Sequence, residues 1–283
     1  MNTGQLSYAA SVLAMLIAFI ALLGWVLGIP LFYTTVPGFP AMTQVSATAV
    51  ILIGAGLLFT GRDSQSLPRN IACACAVAVV AGVAVVQFVL GGKYAPSAAT
   101  STVLAMLGVV LLLLQVSRLP VLVLGALSVF ALALPLYRLT ELLLTLGDPS
   151  NVEVGFFADT SLNSALALCL LAGPALFMHP RLPFGRILFS SEPFTQLIRM
   201  MMPLGVIVPI VLALLIEFVV KNESRHAHFA VIASLGLLSA LYTALIWRGY
   251  EKLQSTTTAL QEREQMTRSI MDSLPHAIAE TDK

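Results

Sequence analysis

The chain has 283 residues, 58% of them hydrophobic and only 10% charged, and its mean hydropathy is +0.92. A soluble domain carries about 25% charged residues, so this chain lacks the side chains to solvate its own surface and reads as a multi-span membrane protein. A net charge of +1 gives no reason to expect nucleic acid as a partner.

A helix that crosses a bilayer needs about 20 mostly apolar residues. Eight such stretches follow one another, at roughly 8–29, 43–60, 70–91, 99–117, 119–137, 160–178, 200–220 and 228–248. The first has no Lys or Arg ahead of it and no small-x-small cleavage site, so it reads as a retained span and not as a signal peptide. IPLFYTTVPGFPAM follows, aromatic and uncharged, with Pro30, Pro37 and Pro40. Such a segment lies at the interface or dips into it, where non-helical backbone must be covered by protein or line a wet cavity. Trp25 and Trp247 suit anchors at the outer and inner surfaces respectively.

Three spans begin alike: MTQVSATAVILIGAGLLF from Met42, YAPSAATSTVLAMLGVVLLLL from Tyr94 and FFADTSLNSALALCLLAGPALF from Phe156. Each has a polar cluster and then a hydroxyl residue, Thr48, Thr100 or Ser164, with a small residue eight positions on, Gly56, Gly108 or Ala172. The hydroxyl suits a helix cap or a bond to a neighbouring backbone, and the small residue two turns deeper lets helices approach closely. In this register Ala98-Ala99 and Leu162-Asn163 stand where the first repeat has Ser46-Ala47. The plainer explanation is that membrane helices are rich in Thr, Ala and Gly in any case. Cys73, Cys75 and Cys169 all lie in apolar runs and form neither a disulfide framework nor a CxxC motif, so they read as packing residues.

The longest outer loop runs from about 137 to 160, where LTELLLTL reads as a short helix lying on the bundle and ended by Gly147-Asp148-Pro149. Arg138 and Glu141 share one face of it, as a local ion pair or as the place where Arg138 holds an anionic headgroup. Glu217 sits near the outer end of the seventh span, a position that marks a site when it faces the bundle and a boundary residue beside Lys221 and Glu223. His226 and His228 lie beside Glu223. In an extended segment the two histidines suit a metal or a proton sensor; on a helix, residues two apart point away from each other; the bland alternative is a solvated loop. The speculative ligand-binding set is thus Trp25, Thr48, Thr100, Arg138, Glu141, Asp159, Ser164 and Glu217, and the speculative metal set is His226 and His228. No span centre carries an ionisable pair, a haem-like histidine pair or HExxH, which weighs against a proton-coupled transporter, an intramembrane protease and a redox carrier.

Past Arg248 the chain turns charged. A seven-residue spacing links Ile246, Leu253, Leu260, Thr267 and Leu274, with Gly249, Thr256, Arg263 and Ile270 three residues on. Polar residues at these companion positions make a poor coiled coil. The stretch reads as a marginal dimeric signalling helix with two registers of similar energy, or as a solvated linker. With this tail in the cytoplasm, the cytoplasmic loops hold Arg62, Arg69, Arg118, Arg181, Arg186 and Arg199, the opposite loops Lys93, Arg138, Lys221 and Arg225, and both termini are cytoplasmic.

The GW, PGF, Met42 and SATAVILIGAGLLF elements resemble the multi-span input regions of bacterial sensor proteins, which precede PAS, histidine-kinase or GGDEF output modules. FMHPRLPFGRILFSSEPFTQLIRMMMPLGVIVPIVLALL resembles that family's link into its last hairpin, and IMDSLPHAIAETD resembles the opening of a PAS domain, a short cap and then the first strand. The resemblance implies a sensor domain over 1–248, a linker helix over 249–273 and a truncated PAS start over 274–283. The expected fold is an all-α membrane protein of eight transmembrane helices, three repeated helical hairpins plus a fourth, followed by a cytoplasmic signalling helix. The expected role is a sensory input module in a bacterial inner membrane, non-enzymatic in this segment, reporting to a histidine kinase first and a diguanylate cyclase next. Its partners would be membrane lipid, a second copy and a small hydrophobic or anionic ligand; the resemblance carries no agreed ligand or cofactor. The contrasting functions are a transporter or channel, for which Pro174, Pro203 and Pro209 speak, and a plain membrane anchor.

Overall fold

The computed structural model describes residues 3–36, 39–60, 66–86, 95–114, 121–145, 159–177, 184, 207–208, 210–212 and 225–281. Among them the regular structure is helical throughout: α1 (Thr3–Leu27), α2 (Pro30–Tyr33), α3 (Gln44–Thr60), α4 (Ser66–Val85), α5 (Ala98–Leu113), α6 (Val121–Thr145), α7 (Leu162–Phe177) and α8 (Arg225–Thr281). Two compact units are present, Met1–Thr243 and Ala244–Lys283.

The first unit is built on a threefold plan. Helix α1 packs on α3 and α7, α4 on α3 and α5, and α6 on α5 and α7, while α3, α5 and α7 also touch one another. Three inner helices are therefore ringed by three outer ones. In chain order each outer helix precedes an inner one, giving the repeated pairs α1–α3, α4–α5 and α6–α7. The short connections join α3 to α4 and α5 to α6, which pack as neighbours, and small residues let helices of the ring approach closely.

The repeat holds residue by residue. Counting from the residue before each inner helix, Thr43, Ser97 and Ser161, the buried positions of α3 are Ser46, Ala47, Ala49, Val50, Ile53, Gly54, Gly56 and Leu57. Those of α5 at the same offsets are Thr100, Ser101, Val103, Leu104, Leu107, Gly108, Val110 and Leu111. In α7 Ser164, Ala165, Ala167, Leu168, Leu171, Ala172 and Ala175 follow suit. The buried hydroxyl of the first repeat is thus Ser46 and not Thr48, and the small residue eight positions on is Gly54 and not Gly56. With the first repeat moved by two residues, the departure at Ala98-Ala99 and Leu162-Asn163 disappears. A Cβ on Gly54 would stand 2.5 Å from Met15 Cγ on α1, and one on Gly108 2.6 Å from Val80 Cγ2 on α4. In both pairs the glycine seats the outer helix against its own inner partner. Gly56 does a second job, admitting Leu111 of α5.

Three helical stretches are long and apolar enough to cross a membrane, Gln5–Leu27, Leu122–Leu142 and Val231–Lys252, and four shorter helices are apolar as well. The inner helices, at 16 or 17 residues, span about 24–26 Å at 1.5 Å per residue, a little less than the roughly 30 Å of a hydrocarbon core. The described residues are accordingly all-helical, and the length and composition of their helices suit a membrane protein. The expected span at 200–220 lies almost wholly outside the described residues.

Two expectations differ from the structure. LTELLLTL does not form a separate helix on the bundle: α6 runs without a break through Pro135 to Thr145, because Arg138 finds a carboxylate one turn along the same helix and need not leave the packed interior. Residues 274–281, where a cap and a strand were expected, continue α8. A strand needs a neighbour for its backbone hydrogen bonds, whereas a helix satisfies them within itself.

Helix α8 buries Val231, Leu235, Ser239 and Thr243 at four-residue spacing, one stripe of a helix, and Gly236 lies beside the Phe130 ring of α6. Leu237, Leu241 and Leu245 are exposed, as expected for side chains that face lipid. In the second unit the described side chains between Glu251 and Thr267 are exposed.

Candidate functional site

Most of the buried polar side chains of the ring gather at one end, where α3, α5 and α7 begin; Ser7, Ser11 and Ser128 lie elsewhere. Each of the three starts with a hydroxyl three residues before a second hydroxyl. Ser46 N–H donates to Thr43 Oγ1 at 3.2 Å, Thr100 N–H to Ser97 Oγ at 3.1 Å and Ser164 N–H to Ser161 Oγ at 3.0 Å. The two hydroxyls of each pair also bond to each other, at 2.8, 2.9 and 2.7 Å respectively. This is N-capping by Ser or Thr, which satisfies an otherwise orphaned backbone donor. The Ser97 and Thr160 hydroxyls meet at 2.6 Å and tie the second pair of helices to the third.

The first pair reaches the third through a strap, described over 29–36 and 39–42. Gly28, at φ +67°, ends α1 in the left-handed conformation, and Ile29 N–H closes back on Gly24 O at 2.9 Å, a glycine C-terminal motif. Pro30 then starts the one-turn α2. Trp25 stacks on Tyr33 with centroids 4.2 Å apart and donates from Nε1 to Met42 O at 2.8 Å; Met42 N–H donates to Tyr33 O at 2.8 Å. On α7, Asn163 Nδ2 donates to Phe32 O at 3.3 Å and its Oδ1 accepts from the Thr35 hydroxyl. Phe39 is buried with Leu142 of α6 and Ala165 of α7, with Val36, Leu139 and Leu162 around them.

Beside this apolar contact lies the charged pair. Arg138 Nη1 is 2.6 Å from Glu141 Oε1, and the two side chains are 2% and 16% exposed. Leu139 and Leu142, their neighbours on α6, are the residues on which Phe39 rests. A buried ion pair costs desolvation that its attraction does not always recover, so it is weak as a stability device and strong as a marker of a site. The guanidinium is a planar fork of donors suited to a carboxylate or phosphate. Three helix starts add partial positive charge at the same end.

Of the sequence-derived site residues, Thr100, Ser164, Arg138 and Glu141 come together at this end of the ring, and Trp25 holds the strap beside them. Thr48 is exposed and bonds back to Gln44 O at 2.9 Å, as Thr102 does to Ala98 O in the second repeat at 2.8 Å. Asp159 is exposed, next to buried Thr160. Glu217 lies outside the described residues. His226 and His228 fall in the first turn of α8, where positions two apart take different faces. Among the described residues no group of three or more His, Cys, Asp or Glu is placed to hold a metal ion. Ile246 is buried and Thr267 exposed, its hydroxyl bonded to Arg263 O at 2.8 Å; Leu253, Leu260 and Leu274 lie on helical backbone, with side chains outside the description. Sequence reasoning passed over Thr43, Ser46, Ser97, Ser161, Asn163 and Phe39. The S/T-x-x-S/T spacing directly before an apolar run was the signal for the caps; nothing in the sequence marked the strap's landing place on α6 and α7. Comparison with protein-family models, with curated proteins and with solved structures gives no match.

Proposed function

We propose that the chain is the membrane-embedded sensory input module of a bacterial signal-transduction receptor. The observation that carries this reading is α8: one helix, Arg225–Thr281, holds both an apolar stretch able to cross a membrane and a charged, exposed continuation. A continuous helix that leaves the apolar stretch as a charged one suits an output element, and Trp247 Nε1 donating to Glu251 Oε1 at 2.7 Å suits an anchor at that surface. In this reading eight spans cross the inner membrane, the six-helix ring plus a last hairpin that ends in α8. The excess of Lys and Arg in alternate loops and in the tail supports a cytoplasmic position for both termini. The stimulus acts at the capped end of the ring, on the outer side or from the lipid phase. The tail pairs with that of a second copy and controls a PAS-linked output, a histidine kinase first and a diguanylate cyclase next.

The test is on the receptor with its output module, reconstituted in vesicles. Thr256 and Arg263 are exposed on α8 at the companion positions of the seven-residue pattern. Thr256→Leu and Arg263→Leu strengthen the packing of two tails in one register, and each is expected to lock output in one state. Output unchanged by both substitutions would overturn the reading.

Transport is the second reading, for which Pro135 and Pro174 inside α6 and α7 speak, since proline removes a backbone donor at the sites where transport helices break, although both helices run unbroken here. The close seating of helices at Gly54, Gly56 and Gly108 speaks for a solid ring instead.

A further inference from the structure

The threefold plan supplies an internal control for the buried ion pair. The helices α1, α3, α5 and α7 carry no charged residue, and α4 carries only Arg69 in its first turn. Within the ring, α6 alone holds charge away from its terminal turns, as Arg138 and Glu141. Among the described side chains the other two helix pairs build the same inner and outer packing without a buried charge, so the packing does not depend on one. Two further features bear on what the pair does. Glu141 is the more open of the two, 16% exposed against 2%. The residues flanking the pair on α6 carry the strap through Phe39, which belongs to a different repeat.

We propose that Arg138 is the recognition group for an anionic ligand carrying a carboxylate or phosphate, and that Glu141 is its built-in competitor. In the unliganded ring the Glu141 carboxylate occupies the Arg138 guanidinium. A ligand anion takes over that fork, Glu141 turns toward its exposed side, and the charge balance beneath Leu139 and Leu142 changes. Phe39 and the strap register the exchange because they rest on those two residues. The apolar side chains packed beside the pair, Phe39 with Val36, Leu139 and Leu162, suit a ligand whose anionic head carries a hydrocarbon body. This inference rests on the sensory reading for its purpose, but not for its test, which measures binding alone.

The experiment uses the full chain in phosphatidylcholine nanodiscs, with isothermal titration of three probes: dodecanoate, inorganic phosphate and uncharged dodecanol. Glu141→Gln removes the competitor and is expected to tighten binding of an anionic probe by about tenfold. Arg138→Gln combined with Glu141→Gln leaves two neutral side chains able to bond to each other, and is expected to abolish binding while the circular-dichroism melt stays near that of the parent. Arg138→Lys keeps the charge and loses the fork, and is expected to weaken binding by about tenfold; it serves if the double variant does not fold. Binding of dodecanoate in preference to phosphate assigns the ligand to the lipid phase, and the reverse assigns it to the aqueous side. The proposal is overturned if neither anion binds the parent or Glu141→Gln, if dodecanol binds as tightly as dodecanoate, or if Arg138→Lys binds as the parent does. Loss of binding would leave the α8 coupling test untouched, and failure of that coupling would leave the binding result standing.

Discussion

The α4–α5 and α6–α7 pairs solve the same packing problem with different chemistry. Both place an outer helix against a hydroxyl-capped inner one, and both bury the inner helix at the same offsets from its cap. The α4–α5 pair closes by steric fit, Gly108 against Val80. The α6–α7 pair buries a guanidinium and a carboxylate as well. One pair shows what the scaffold needs, and the excess in the other shows what the scaffold does not explain. The contrast teaches that stability and recognition sit at different places in this ring, and substitutions can separate them.

The sharpest break comes from Arg138→Ala, which leaves the part-buried Glu141 carboxylate beside a void in place of the guanidinium. It is expected to cost about 3 kcal/mol, the usual loss when one partner of a buried pair is removed, read as a shift in reversible unfolding in mixed micelles. Arg138→Leu with Glu141→Leu should recover most of that loss if the pair is not structural; a double variant as unstable as Arg138→Ala would erase the distinction between the two helix pairs. Next is Gly108→Leu, where the added side chain meets Val80 and the backbone of α4. About 2 kcal/mol is expected from overpacking in the same assay, and a neutral result would mean that α4 and α5 are not seated by steric fit. Ser97→Ala removes a cap and the bond to Thr160 together and is expected to cost about 1 kcal/mol. The smallest effect belongs to Thr102→Val, a half-buried residue whose hydroxyl bonds back along its own helix. It should stay within about 0.5 kcal/mol, which separates the buried hydroxyls of the repeat from the less buried ones.

The register of the repeat shows how far one dimension reaches. Ser46 and Thr48 both follow Thr43 closely, and both are hydroxyl residues at the start of an apolar run. Periodicity alone does not choose between them. Burial does, because Ser46 is buried and Thr48 is exposed. The choice also moves the close-approach residue from Gly56 to Gly54, and with it the neighbour from α5 to α1. Arg138 and Glu141 were legible as a pair from their spacing. Their place was misjudged as an outer loop, because a charged residue in an apolar run reads as the end of a span unless its partner is known to be buried with it.

The sequence by itself determined that the chain belongs in a membrane, that its helices are apolar along most of their length, and that three of them start alike. Those properties depend on composition and short-range spacing, which each segment carries with it. Only the tertiary structure decided that the three similar helices are the inner ones, that the strap of the first repeat lands on the third, and that the ion pair is buried beside that contact. Those properties depend on which faces meet, and a helix that is apolar all round gives no sign of which face that will be.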